Sequence, residues 1–401
     1  MSYYQLPKSN YVLTDKTVKL QVSKKNNPNK IMLNPSLHSY LQESKDLIST
    51  HIKSWDTVKK YTNPYEYIHS AYEQGKYVSS IKPLSRAYYK MIELIHTFDI
   101  FSGYDDVPIR SFHLAEGPGG FIEAFANMRQ NPKDQYYGMT LKKNQDNPDA
   151  PGWNKSAAFL KANPNVNVEP FSSGDLYSYD NLLEAGCDCC CDYKHQMDIV
   201  TGDGGFDFSV DFSKQEDMAL KLIFSQMLFA FTLQKDGGTF ILKIFDTFTK
   251  PTMDMMFILT CLYDEVYICK PNTSRRANSE RYVVCKGFKV DVFTPLRERL
   301  MNIFKVYYMS GLKDYIMRSI LNIDLNYKFV TVLQEINVIF GQQQLDNINY
   351  TLTLIKQSNR RNDKIDALKK KHIQMCIRWC MEHNIPHNEY KKSNIFKHTY
   401  K

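Results

Sequence analysis

Hydrophobic and polar positions divide the chain into three textures. From Pro35 to about Phe101 apolar residues fall three and four apart, as in "SLHSYLQESKDLISTHIKSW" and "SRAYYKMIELIHTF", a spacing that predicts helices. Between Ser111 and about Pro295 short apolar runs alternate with helical ones. "SFHLAE", "QYYGMTL", "MDIVTGD", "GTFILKIF", "EVYICKP" and "RYVVCKGF" read as strands, and "GFIEAFANM", "QEDMALKLIFSQMLFAFTLQ" and "TMDMMFILTCLY" as the helices between them. That alternation predicts an α/β fold with a mostly parallel sheet covered on both faces. The Met-rich helix is expected to pack on the sheet. Leu296 to Lys401 is helix-like again, and residues 1 to about 30 are polar, with "KKNNPNK" as a loop or arm. The expected organisation is an N-terminal arm and helical extension over 1–80, an α/β domain over 81–295 and a basic helical region over 296–401.

Composition narrows the setting. None of the apolar runs reaches the ~18 residues a membrane span needs, and the first residues lack an apolar signal core, so a soluble, intracellular protein with no membrane partner is expected, in the cytoplasm with the nucleus left open. Nine cysteines without a secretory context then read as reduced thiols. The net charge of +8 is unevenly placed, because Lys356 to Lys401 holds 12 Lys and Arg against 4 Asp and Glu while the first 355 residues balance at 39 each. A basic segment with Trp379, Tyr390 and Phe396 suits a polyanion such as RNA, and a solvated helix face is the alternative.

The first strand of the alternating region runs into Glu116, and Gly117, Pro118, Gly119 and Gly120 follow before Phe121 opens a helix. Glycines there let the backbone approach a ligand at the carboxyl end of a strand, where open α/β sheets bind theirs. The spacing departs from G-x-G-x-x-G, and no Gly-Lys-Ser/Thr follows, so neither a dinucleotide nor a P-loop phosphate site is supported. An acid before the glycines would repel a pyrophosphate and attract a cation. S-adenosylmethionine, with a sulfonium, an amino group and ribose hydroxyls, meets that requirement, while a plain strand-to-helix connection is the bland reading.

Three later strands end in charged residues. "DIVTGDGGFDF" runs into Asp203, "GGTFILKIFD" sets Lys243 in an apolar strand, and "SRRANSERYVVCKGF" places Glu280 at the mouth of the next. A lysine between Leu242 and Ile244 is costly to bury unless paired or functional, or else its amine snorkels to an edge. Together, "SRAYYKMIE", "EGPGGF", "GDGGFDF", "ILKIF" and "TSRRANSERYVVCKGF" resemble the motif set of the FtsJ/RrmJ-like RNA ribose 2′-O-methyltransferases, most closely the cap-specific (adrift-type) branch and its relatives in large cytoplasmic DNA viruses, over about Ser85 to Phe288.

The resemblance implies a Rossmann-like class I S-adenosylmethionine-dependent methyltransferase fold with helical N- and C-terminal extensions, and a Lys-Asp-Lys-Glu tetrad at Lys90, Asp203, Lys243 and Glu280. A ribose hydroxyl must lose its proton as it attacks a sulfonium methyl, and a lysine base (pKa near ~10.4 when free) needs desolvation or a cationic neighbour. Lys90 is that neighbour, Lys243 the proton acceptor, and Asp203 and Glu280 hold the amines. For the cofactor the resemblance points to Glu116, Gly117, Pro118, Gly119, Gly120, Phe121, Thr140, Asp175 and Asp203. The strand ending "YYGMTLKK" lacks the acid that grips the ribose in many relatives and offers Thr140 and Lys142, with Asp146 or Trp153 from the next loop. For the RNA, the guanidinium groups of Arg275 and Arg276, with Arg86, would meet phosphates, and Asn278 beside Ser279 the ribose, while a plain surface charge is the alternative for Arg276.

The expected substrate is capped mRNA, with other capping or transcription enzymes as further partners. The rival readings are ribose methylation of rRNA or tRNA, and an RNA-binding accessory subunit without turnover. "CDCCCDYKH" crowds Cys187, Cys189, Cys190 and Cys191 beside His195, but adjacent thiolates span one ion poorly, and no metal site is expected.

Overall fold

A computed structural model describes residues 1–27, 29–71, 75–142, 150, 152–169, 171, 173–186, 194–205, 215–309, 312–357 and 361–388. Asp146, the Cys187–Cys191 cluster, Tyr390 and Phe396 lie outside these. The strands are β1 (Ser2–Gln5), β2 (Val18–Lys24), β3 (Arg110–Leu114), β4 (Gln135–Met139), β5 (Val166–Val168), β6 (Met197–Gly202), β7 (Gln234–Ile244), β8 (Tyr263–Lys270), β9 (Arg281–Phe288) and β10 (Tyr315–Leu321). The helices are α1 (Pro35–Ser49), α2 (Ile52–Val58), α3 (Ala87–Phe98), α4 (Gly120–Arg129), α5 (Ala157–Ala162), α6 (Tyr179–Ala185), α7 (Gln215–Leu233), α8 (Lys250–Leu262), α9 (Val290–Met309), α10 (Tyr327–Lys356) and α11 (Arg361–Glu382). None of the described helices is long and apolar enough to cross a membrane.

Among the described residues, eight strands form one sheet in the order β1-β8-β9-β7-β6-β3-β4-β5, and β10 pairs with β2 in a second. Strands β5, β4, β3, β6 and β7 are parallel neighbours, whereas β9 pairs antiparallel with both β7 and β8, and β1 antiparallel with β8. Counted from β3, the parallel strands run 3-2-1-4-5, the doubly wound order whose switch point falls between β3 and β6. Helices α7 and α8 are buried almost all round, including Met253, Met255 and Met256, as helices wedged between sheet and outer layers must be.

The compact units cut across the expected segments. One comprises Met1–Thr50 with Leu84–Ile348, the other His51–Pro83 with Asn349–Lys401. The first 50 residues join the α/β unit because β1 extends its sheet and β2 pairs with β10. Residues 296–348 join it because α9 packs on α7 and α8, and β10 on α8. In the second unit α11 packs on the turn Glu66–Ile68 around Trp55, Tyr67, Ile68, Ile373, Cys376 and Trp379. There the Thr62 and Thr351 hydroxyls lie 2.8 Å apart, and Asn63 donates to Glu66 at 2.7 Å.

At the switch point a wholly buried histidine ties β3 to β6. His113 hydrogen-bonds the Ser111 hydroxyl through Nε2 and the Thr201 hydroxyl through Nδ1, each at 2.8 Å. Burial pushes its imidazole down to about 3. An unfolded histidine takes a proton near ~6.5, so between these values the folded state binds fewer protons and loses stability as pH falls, by at most about 1.4 kcal/mol per pH unit. The ring should therefore stay neutral at pH 5 in the native protein. An imidazolium signal for His113 in NMR at that pH would contradict this.

Candidate active site

Three consecutive strand ends and the start of a fourth strand meet beside the switch point. Strand β3 leads through Ala115, held at φ 52, into Glu116 and a left-handed Gly119 at φ 108 that opens α4. A non-glycine residue at such a φ is uncommon and concentrates at functional turns. The buried Glu116 carboxylate accepts from the Phe121 and Ile122 amides at 2.6 and 3.2 Å, capping the helix. Burial and then Asp203 push its carboxyl well above the usual range, against the pull of those amides.

Gly120 brings α3 against this turn, since a Cβ there would lie 2.2 Å from Ser85 Oγ and 3.1 Å from the Tyr88 amide nitrogen. Helix α3 thereby delivers Lys90, 6% exposed, to the site. Strand β6 ends level with β7, Gly202 pairing with Leu242, so Asp203 falls beside Lys243. Because β9 runs antiparallel to β7, with Lys243 opposite Tyr282 and Ile244 opposite Arg281, Glu280 arrives at the same end.

The four residues form two ion pairs. Lys90 Nζ lies 2.6 Å from Glu280 Oε1, and Lys243 Nζ lies 3.2 Å from Asp203 Oδ1 while donating to the Asp203 carbonyl at 2.6 Å. Tyr282 joins them: its hydroxyl donates to Asp203 Oδ1 at 3.0 Å, and its ring centroid is 5.9 Å from Lys90 Nζ. Burial lowers Lys90, Glu280 pulls it back up, and Arg86, Asp203 and Lys243 exert smaller opposing effects. Burial would raise the Glu280 carboxyl, but Lys90 and then Lys243 hold it well below the usual carboxylate range.

The other strand ends build a cradle. Thr140, after β4, is buried, and Gly174 runs so close that a Cβ there would sit 1.6 Å from the Thr140 carbonyl oxygen. Asn181 fixes that loop by donating to the carbonyls of Ser173 and Asp175 at 2.9 Å, and Asp175 Oδ1 accepts from the Tyr177 amide at 2.8 Å. Just after β5, Glu169 Oε2 pairs with Lys142 Nζ, which follows β4, at 2.6 Å. Trp153 packs behind the glycines, its Cζ3 3.5 Å from where a Gly119 Cβ would be, and its buried indole N–H has no acceptor among the described residues. Glu116, Asp175 and Asp203 with an orphan N–H suit a ligand bearing cationic and hydroxyl groups better than a phosphate ester.

Not every expected contact faces this cleft. Phe121 is wholly buried and tilts against Tyr282 at 6.1 Å, so its side chain is core and only its amide serves the turn. Ser279 is 2% exposed with its hydroxyl on Gln215 Oε1 at 2.5 Å, which makes it a loop anchor in place of an RNA contact. Asn278 Oδ1 accepts from Lys270 Nζ at 2.9 Å. Arg276 is exposed, and Arg275 and Arg86 are half-buried.

Sequence reading missed Tyr282 and Lys270. The first is marked only by its register opposite Lys243. The second is a buried lysine at the end of β8 whose ammonium donates to the Asn278 carbonyl at 2.8 Å and the Glu280 carbonyl at 2.7 Å. Burial brings it down to about 7 against the attraction of Glu280. Opposite, Glu93 accepts from the amides of Asn272 and Thr273 at 2.8 and 3.1 Å. Lys270→Met would leave buried carbonyls unpaired, at a cost of roughly 1–3 kcal/mol. Amide exchange across 271–280 should then accelerate on the order of tenfold or more, with β7 unchanged; identical protection would refute this anchoring.

A profile of the FtsJ-like methyltransferase family matches residues 83–288. Among curated relatives, the cap-specific mRNA (nucleoside-2′-O-)-methyltransferase 1 of Trypanosoma cruzi is 34% identical over 201 residues, 49% of this chain and 52% of that protein. The Homo sapiens protein of that name is 32% identical over 252 residues, 57% of this chain and 28% of its own length. The cap-specific mRNA (nucleoside-2′-O-)-methyltransferase 2 of Drosophila melanogaster is 27% identical over 212 residues, 51% of this chain and 30% of that protein. The chain thus spans about half the length, or less, of these relatives. The matched stretch runs from just before α3 to the last residue of β9 and holds every strand end that builds the site, and the chain belongs to the FtsJ-like methyltransferase family, with an S-adenosylmethionine-binding fold.

Proposed function

We propose that this protein methylates the ribose 2′-hydroxyl of the first transcribed nucleotide of capped mRNA. The observation that carries the reading is the joining of two lysine–carboxylate pairs through Tyr282, directly beside the strand-end cradle. S-adenosylmethionine supplies, when bound, a methyl group on a sulfonium. Glu116, Asp175, Asp203, Thr140 and the Gly117–Gly120 backbone, with Pro118 in the turn, would hold it.

Within this site Lys243 takes the proton of the hydroxyl. Asp203 fixes the Lys243 amine through both carbonyl and carboxylate, and Tyr282 keeps that carboxylate from turning away. Glu280 fixes Lys90 alongside. Burial, with repulsion from Arg86 and Lys243, holds Lys90 below the ordinary lysine range. Arg275 and Arg276, on the loop that Lys270 and Glu93 anchor, meet the phosphates, and Arg86 is a third contact. The cap specificity draws its support from the relatives, whose names are those of cap-specific enzymes.

Lys243→Ala should reduce methyl transfer on the order of 10²–10⁴-fold while cofactor binding persists. Labelled cofactor, m7GpppA-capped RNA and nuclease digestion locate the methyl group; retained turnover removes Lys243 from the role, and equal labelling of uncapped RNA removes the cap. The double variant Arg275→Ala/Arg276→Ala should raise KM for RNA roughly tenfold or more with an unaltered cofactor Kd. An unaltered RNA KM would show that this loop does not touch the substrate.

A further inference from the structure

The two compact units differ sharply in charge. His51–Pro83 with Asn349–Lys401 carries 17 Lys and Arg against 7 Asp and Glu, leaving 34 against 36 for the unit that holds the active site. The catalytic unit is therefore slightly acidic, and its site is internally neutralised, Lys90 by Glu280 and Lys243 by Asp203. Its substrate would bear a negative charge at every nucleotide, and Arg86, Arg275 and Arg276 lie on this unit. The excess positive charge lies in the other unit, and residues 51–83 add to the surplus of the C-terminal tail.

That unit also has a surface suited to such a substrate. Lys53, Lys60, Lys364, Lys370, Lys371 and Arg378 are exposed on its helices and turns. A groove of about 550 Å³ runs between α2 and α11, with Lys53, Ser54, Thr57, Tyr61, Asn362 and Lys369 along it. Lys369 Nζ sits 5.2 Å from the Tyr61 ring centroid and 3.8 Å from Asp366, the one carboxylate of the groove lining. Hydroxyl, amide and ammonium donors beside an aromatic ring are the parts from which sequence-tolerant grips on single-stranded nucleic acid are made.

We propose that the unit formed by His51–Pro83 and Asn349–Lys401 is an RNA-holding module that grips the phosphates of single-stranded RNA, with the α2–α11 groove seating part of the strand. The inference rests on RNA being the substrate but not on the chemistry at Lys243. RNA is favoured over an acidic protein because it is the polyanion that the family's catalytic site must already hold, and the catalytic unit brings no net positive charge to it.

The test is the salt dependence of binding of a labelled, uncapped single-stranded RNA of about 20 nucleotides to the full chain. Removing one phosphate-binding cation lowers the slope of log K against log salt by about 0.7 for a single strand. Lys364→Gln/Lys370→Gln/Lys371→Gln should lower it by about 2 and weaken binding on the order of tenfold or more near 0.1 M salt. Lys53→Gln/Lys369→Gln should lower it by about 1.4. Circular dichroism, with the fluorescence of buried Trp55 and Trp379, confirms that the variants fold. Slopes and affinities equal to the parent in both variants would overturn the proposal and leave a protein partner as the reason for the charge. Lys243→Ala, measured in parallel, keeps the questions apart: turnover retained in it with reduced slopes in the lysine variants would sink the catalytic reading and leave the module standing.

Discussion

The site depends on the antiparallel docking of β9 against β7. A parallel neighbour would carry its first residue to the far end of the sheet, some 20 Å or more away at ~3.3 Å per residue. Running the other way, β9 sets Glu280 where β7 ends, and the register that places Tyr282 opposite Lys243 lets one phenol reach Asp203 from β6 while its ring lies near Lys90 from α3. Backbone pairing thus brings together groups from three strands, and the packing of α3 adds the fourth.

Burying so many ionisable groups is not a way to gain stability. A buried ion pair often contributes little net free energy, because desolvation offsets the attraction, although breaking one is costly. Lys90 and Glu280 form such a pair, while Lys270 and Glu93 are held at the same end of the sheet by backbone carbonyls and amides. A well-packed apolar core would serve the fold as well, so the Lys90–Glu280 pair fits the proposed chemistry better than a purely stabilising role. Lys270 and Glu93 fasten the loop before β9 from two sides, which lets that loop carry Arg275 and Arg276 without drifting.

Much of this was legible in the sequence. The six strands read between Ser111 and Phe288 are present, because each is a short apolar run bounded by glycine or charged residues, and the tetrad residues are gathered because each ends or begins an element facing one edge. Strands β1, β2, β5 and β10 were not read: Ser2–Gln5 and Val166–Val168 are too brief for an alternation to show, and β2 and β10 lie in stretches read as a polar arm and as helical. Texture divided the chain at helical stretches, whereas long-range pairing, invisible to periodicity, assigned Met1–Thr50 and residues 296–348 to the α/β unit. Ser279 and Phe121 were misjudged for a related reason: adjacency to a motif does not say which way a side chain points. Lys270 looked like the polar end of a strand, and only its carbonyl partners reveal an anchor.

The outer strands of the large sheet have a consequence for the protein in concentrated solution. One border is the four-residue β1 and the other the three-residue β5, so the long central ladders are covered on both sides. Unsatisfied amides and carbonyls along a lengthy border invite a neighbouring molecule to add its own strand, and brief borders blunt that tendency. The opening residues therefore act as a hem, and a chain missing Ser2–Gln5 would bare the Tyr267–Lys270 border of β8 and be prone to self-association.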